Sequence, residues 1–119
     1  PGWRLFMAAW TGLEILTRKA GRPVLPEHQA RSDVPASLLK AMRYERDRRV
    51  PLRADFAAMT LELSPESCEQ DLAQFMAIKK TRNDLVHGKP IDESLLPGAG
   101  ARNLLLKYVD KAAARYLDA

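Results

Sequence analysis

Apolar positions recur at helical spacing through most of the chain, and no run alternates cleanly enough to make a strand. Between Trp3 and Lys19, the residues Trp3, Phe6, Met7, Trp10, Leu13 and Thr17 fall on one face, widened by Leu5, Ile15 and Leu16. Gly21 and Pro23 end that helix. Residues 22–33 have no periodicity and contain two prolines, so they read as a surface loop in which His28 is solvated. Ser32 or Asp33 is placed to cap a short helix with Pro35 in its first turn and Leu38, Leu39 and Met42 facing inward.

The second half repeats the pattern with clearer punctuation. From Pro51 to Leu63, the spacing of Leu52, Phe56, Met59 and Leu63 predicts another amphipathic helix. Ser64-Pro65-Glu66 is a restart signal: Ser64 can cap, Pro65 suits the first helical position, and Glu66, Glu69 and Asp71 favour the positive helix end. That long helix runs through Leu72, Phe75, Ile78 and Val86 to His87, with Gly88 as its left-handed terminator and Lys89-Pro90 beyond. Residues 88–100 form a second loop. A last helix from about Ala101 to Leu117 presents Leu105, Tyr108, Val109, Ala112 and Tyr116 inward. The fold class is therefore all-α: an antiparallel bundle of four main helices plus a short extra helix, in one domain over residues 1–119.

Composition narrows the setting. The 119 residues are 46% hydrophobic and 29% charged, which suits a single modest core rather than a disordered chain. A net charge of +4 and a pI near 9.5 permit a polyanionic partner without requiring one. Cys68 is the lone cysteine, so no internal disulfide forms, and no Cys/His cluster has metal-ligand spacing; a reducing cytoplasm is the natural compartment. The apolar run Leu5–Leu16 contains Glu14 and is too short to span a bilayer. The first residue is Pro1 rather than Met, and a helix is under way by Trp3, so the chain reads as a piece of a longer protein with fused or partner domains.

Chemistry concentrates at the end of the long helix, in Lys79-Lys80-Thr81-Arg82-Asn83-Asp84-Leu85-Val86-His87-Gly88. Arg82 falls on the apolar side near Phe75 and Val86, where a permanent cation needs a partner. Glu14, at the edge of the first helix's apolar stripe, is either a snorkelling edge residue or that partner. Asn83 and His87 stack at i, i+4, whereas Arg82 and His87 stand roughly 140° apart around the axis. Such a set suits phosphodiester chemistry and requires no metal or cofactor. An arginine can grip a phosphate through two hydrogen bonds, a histidine can move a proton at a ribose hydroxyl, and Asn83 can orient either. Arg43, Arg46, Arg48, Arg49 and Arg53 form the densest basic cluster, interrupted by Glu45, Asp47 and Pro51, and read as a solvated face.

Arg82-Asn83-Asp84-Leu85-Val86-His87-Gly88, closing a helix in an all-helical chain, resembles the signature of the HEPN superfamily, in which an arginine, often followed by asparagine, precedes a histidine by a short spacer. Gly12-Leu13-Glu14-Ile15-Leu16 is similar to the first helix of Apea-like HEPN domains. The likeness covers about Trp3 to Leu117, although residues 22–50 match nothing in it. It implies a bundle that dimerises to bring two motifs into one cleft, and a metal-independent ribonuclease of the toxin–antitoxin, antiphage or RNA-processing kind. Arg82 and His87 would be its catalytic pair and Asn83 its auxiliary; the residues themselves add Glu14 as a support for Arg82 and Lys79 and Lys80 as candidates for a basic, RNA-binding rim. Lys89 stands where HEPN toxins silenced by nucleotidyl transfer often carry tyrosine, which speaks against that control. The same resemblance also covers inactive dimerisation or RNA-sensing modules.

Overall fold

The computed structural model describes residues 2–117, and among these there is no strand. Four long helices, α1 (Gly2–Gly21), α4 (Leu52–Leu63), α5 (Cys68–Val86) and α6 (Gly98–Tyr116), make the bundle, with shorter α2 (Leu25–Gln29) and α3 (Ala36–Met42) between α1 and α4. The expected helical bundle, four principal helices and a short one, is what forms; α2 adds one further turn. No helix among the described residues is long and apolar enough to cross a membrane.

The core is built around α4. Its expected amphipathic face is too narrow a description, because Ala54, Ala57, Ala58, Thr60 and Leu61 are buried together with Phe56 and Met59. The alanines let neighbours approach from all sides, so the helix is central rather than half-solvated. Phe56 stacks on Phe75 at 4.1 Å between ring centroids, Phe75 on Trp10 at 5.5 Å, and Tyr108 meets Phe56 edge-on at 5.6 Å. These four rings tie α4, α5, α1 and α6 to one centre, and burying each is worth about 2 kcal/mol or more in transfer free energy.

Neighbour pairs set the helix directions. Gln74 reaches the Gly100 carbonyl and Lys107 reaches Asp71, so α5 and α6 are antiparallel. Gly98 packs against Leu5, Gly12 against Leu105, and Leu16 lines a groove with Val109 and Ala112. Helices α1 and α6 thus run side by side in the same direction, an exception to antiparallel packing. The C-terminal end of α5 comes level with the first turn of α1. There the Glu93 carboxylate accepts the Trp3 backbone N–H at 3.1 Å, supplying the negative charge that a helix start favours.

Several local expectations are corrected. Residues 22–33 are not all loop: a 3₁₀ turn (Arg22–Val24) leads into α2, whose Leu25 and His28 are buried. His28 is 4% exposed rather than solvated, with Nδ1 accepting from Arg31 at 2.8 Å and Nε2 donating to Glu62 at 3.1 Å. An arginine N–H can only donate, which assigns those ring roles. Glu62 also takes Arg115 from α6. Pro35 itself precedes α3, its carbonyl receiving Leu38 and Leu39, while Asp33 pairs with Arg31 instead of capping. Ser64 binds Glu66 and Ser67, and a 3₁₀ turn (Pro65–Ser67) delays α5 to Cys68. Helix α6 starts at Gly98, not Ala101, and turns Ala101, Leu104 and Tyr108 inward; Val109 and Tyr116 are 42% and 54% exposed. Together with Leu16, Ala112 and Leu117 they leave an apolar groove between α1 and α6.

A buried polar network joins α4, α5 and α6. Tyr108 donates its hydroxyl proton to Asp71 at 2.6 Å, so the Thr60 hydroxyl, at 2.5 Å, donates to Tyr108. Lys107 and Ser67 also donate to Asp71, at 2.7 and 2.8 Å. Burial first, and the Asp71 hydrogen bond second, hold the Tyr108 phenol well above its ordinary range. Because the folded phenol resists ionisation more than the unfolded one, this contribution is full below about pH 10 and declines as pH rises further. Tyr108→Phe is expected to cost about 1–3 kcal/mol by leaving Thr60 and Asp71 short of a partner. Urea melts at neutral and alkaline pH check both effects, and the alkaline decline should be shallower in the variant.

Candidate functional site

The end of α5 is a fixed structure. Gly88 takes φ +73°, and the N–H groups of Gly88 and Lys89 return to the carbonyls of Leu85 and Asp84 at 3.2 and 3.0 Å. This is the six-to-one, five-to-two closure of a Schellman motif, the reason glycine serves as terminator here. Asp84 reinforces it, gripping Lys80 at 3.0 Å and Lys89 at 3.2 Å. Those hydrogen bonds, Lys80 first, hold the Asp84 carboxyl below its usual range. Lys89, set aside in the sequence for lacking a tyrosine's chemistry, therefore has a mechanical task.

His87 occupies the cap position with its backbone N–H on the Asn83 carbonyl at 3.0 Å. Its residue is exposed, and its imidazole makes no hydrogen bond or ion pair among the described residues. Arg82 is half-buried; one outer nitrogen donates to Asn83 Oδ1 at 3.1 Å, and Nε is buried with no acceptor among the described residues. Asn83 thus touches Arg82, as an orienting amide would. Arg82 and His87 are not joined within one chain. Lys79, Lys80, Asn83 and Asp84 line a shallow cleft with Met76, of about 240 Å³. The structure therefore places Lys79 and Lys80 beside the motif, with Lys80 already held by Asp84.

Glu14 does not support Arg82. It is half-buried and forms no ion pair among the described residues. The Trp10–Phe75 contact explains why. Glu14 lies one turn beyond Trp10 in one direction, and Arg82 lies two turns beyond Phe75 in the other. That separates them by about 16 Å along the shared axis at the usual helical rise.

Sequence reasoning missed a second charged centre. Asp55 on α4 is fully buried and accepts Arg18 at 3.0 Å and Arg22 at 2.9 Å, where Gly21 lies against its backbone. An aspartate between Ala54 and Phe56, on a stretch dense in apolar residues, was the available signal, since such a group demands cations when buried. Among the described residues, no group of His, Cys, Asp and Glu gathers in a way that could hold a metal ion. Cys68 is buried at the start of α5, and burial pushes its thiol up, away from reactivity. No family model, curated protein or solved structure matches the chain.

Proposed function

We propose that this domain is a metal-independent endoribonuclease of the HEPN kind, acting as a homodimer. One observation carries the reading: Arg82 and His87 sit at an open, rigidly terminated helix end, and neither is committed to a carboxylate among the described residues. A structural arginine on an apolar helix side is expected to carry an ion pair, and among the described residues this one has only the amide of Asn83. In the reaction, Arg82 binds the non-bridging oxygens of the scissile phosphate. His87 takes the ribose 2′-hydroxyl proton or delivers one to the leaving oxygen, and a 2′,3′-cyclic phosphate results.

A second copy would answer the geometry. Arg82 and His87 stand roughly 140° apart around one helix, so a single chain presents them in different directions. Two α5 ends across a two-fold axis would set the arginine of one chain beside the histidine of the other. Trp3, Leu5, Val86 and Leu95 are exposed apolar groups at this same end of the bundle, material for such an interface.

The test is cleavage of a mixed RNA pool with EDTA present, scored for cyclic phosphate ends, together with light scattering over a dilution series. Mixing Arg82→Ala with His87→Ala protein is expected to restore part of the activity through sites that receive one intact residue from each chain. A monomer that cleaves RNA would overturn the shared site. A dimer without cleavage would favour a non-catalytic interaction module on the same fold. A dimer that cleaves but never complements would place the interface elsewhere, for example on the α1–α6 groove.

A further inference from the structure

The arginine cluster, expected as a solvated face, is built mostly on an irregular segment and tied to its neighbours. Residues 43–51 run irregularly between α3 and α4, and Arg53 in the first turn of α4 donates to the Arg43 carbonyl at 2.9 Å. At one end of this segment the buried Asp55 fixes Arg18 and Arg22, whose side chains stay 43% and 46% exposed. Arg18 also reaches the Val50 carbonyl at 3.4 Å. One carboxylate therefore orients two guanidinium groups and neutralises only one. Arg48 and Arg49 close the same hollow, about 440 Å³ in volume.

Two further hollows continue it. Arg48 and Arg49 also border one of about 320 Å³ with Tyr44 and Arg53. Tyr44 is shared in turn with a third, of about 540 Å³, carrying Arg31, Arg43 and Arg46. Nearby acids offset part of this charge: residues 43–53 hold five arginines against Glu45 and Asp47, a net +3. Glu45 is paired with Arg48 and Asp33 with Arg31, while Arg46 and Arg49 make no ion pair among the described residues. Every basic residue from 43 to 53 is arginine, the side chain whose planar fork suits phosphate and stacks on bases. A small anion would occupy one hollow; a chain of phosphates can follow all three, with Tyr44 between them as a stacking surface.

We infer that this face, from the end of α1 along residues 43–53, binds the phosphate backbone of single-stranded nucleic acid. It is distinct from the α5 end. Arg18 and Arg22 lie at the opposite end of α1, roughly 25 Å from the level of Arg82 at the usual helical rise. Binding here requires neither Arg82 nor His87, so the inference stands whether or not the domain cleaves RNA.

The experiment measures fluorescence anisotropy of a labelled 2′-O-methyl oligouridine, which lacks the attacking hydroxyl, against the whole chain across a salt series. Arg46→Gln with Arg49→Gln removes two exposed charges that make no ion pair among the described residues. It should leave the melting temperature unchanged, weaken binding about tenfold near 0.1 M salt, and lower the log–log salt slope by about 1.4. Tyr44→Leu should weaken binding several-fold while Tyr44→Phe retains it. An unchanged affinity and slope in the double arginine variant would overturn the inference. So would an equal loss from Arg102→Gln with Lys111→Gln on α6, because the effect would then be net charge alone. Displacement of the oligonucleotide by polyglutamate at equal charge concentration would assign the face to an acidic protein instead.

Discussion

Gly21→Ala is expected to destabilise the fold by about 3–5 kcal/mol, lowering the melting temperature by more than about 10 °C. Gly21 has ordinary right-handed helical dihedrals, so its backbone conformation is not what requires glycine. Space is the reason: a Cβ there would stand 1.9 Å from the Asp55 carbonyl oxygen and 2.7 Å from its carbon. Those are backbone atoms of a central helix, and relief requires α1 and α4 to separate. Separation would also stretch the Arg18 and Arg22 contacts to Asp55. Gly12→Ala is the control. Its Cβ would meet only the end of the Leu105 side chain, at 2.9 Å, which can rotate away while the helix gains propensity. Circular dichroism melts of the two variants decide it, and a Gly21→Ala protein as stable as Gly12→Ala would refute the close approach.

The same contact shows why part of the fold was hidden in the sequence. Gly21 reads correctly as the end of a helix, and the Gly88 terminator, the α5 pattern and the inward Leu38 and Met42 are all local signals that the structure repeats. Local signals do not say which helix becomes central. The alanines of α4 look neutral in a periodic pattern, yet they let the core close around them. Asp55 and Arg22 are thirty-three positions apart, and nothing in the spacing of either announces the pair. His28 failed as a surface residue for a similar reason: its partners Arg31 and Glu62 come from the same turn and from a distant helix. Tyr108 was placed inward correctly, but its hydroxyl network depends on side chains of two other helices.

The candidate site divides along the same line. Arg82, Asn83 and His87 lie within six consecutive residues of one helix end, so their order and angular spacing could be read directly, and the Asn83–Arg82 contact is local. The Glu14 contact needed the relative direction and level of α1 and α5. Once Trp10 and Phe75 fix that level, Glu14 lies too far along the axis to orient Arg82. The basic segment 43–53 was noted for its charge, but its concave form depends on Arg18, Arg22 and Asp55 from outside it.

His87→Ala is expected to reduce RNA cleavage by about 10²–10⁴-fold, the usual contribution of a positioned acid–base group, while the melt stays within about 0.5 kcal/mol of the parent. The split is a consequence of how α5 ends. His87 closes the helix with its backbone, and Gly88, Lys89 and Asp84 complete the termination, so its exposed imidazole is dispensable for folding. Arg82→Ala should lose activity comparably. Arg82→Lys should recover little, because an ammonium keeps the charge but not the paired donors that fit a phosphate. Two further variants separate chemistry from structure. Glu14→Gln, remote from Arg82 and without an ion pair among the described residues, should leave cleavage intact. His28→Ala should lower stability by about 1–3 kcal/mol through its broken contacts to Arg31 and Glu62, yet cleave normally where folded. Initial cleavage rates at fixed folded concentration, with EDTA present, give the comparison. An active His87→Ala protein would remove the histidine from the mechanism, whereas equal losses in His87→Ala and Glu14→Gln would trace the effect to folding rather than to chemistry at the α5 end.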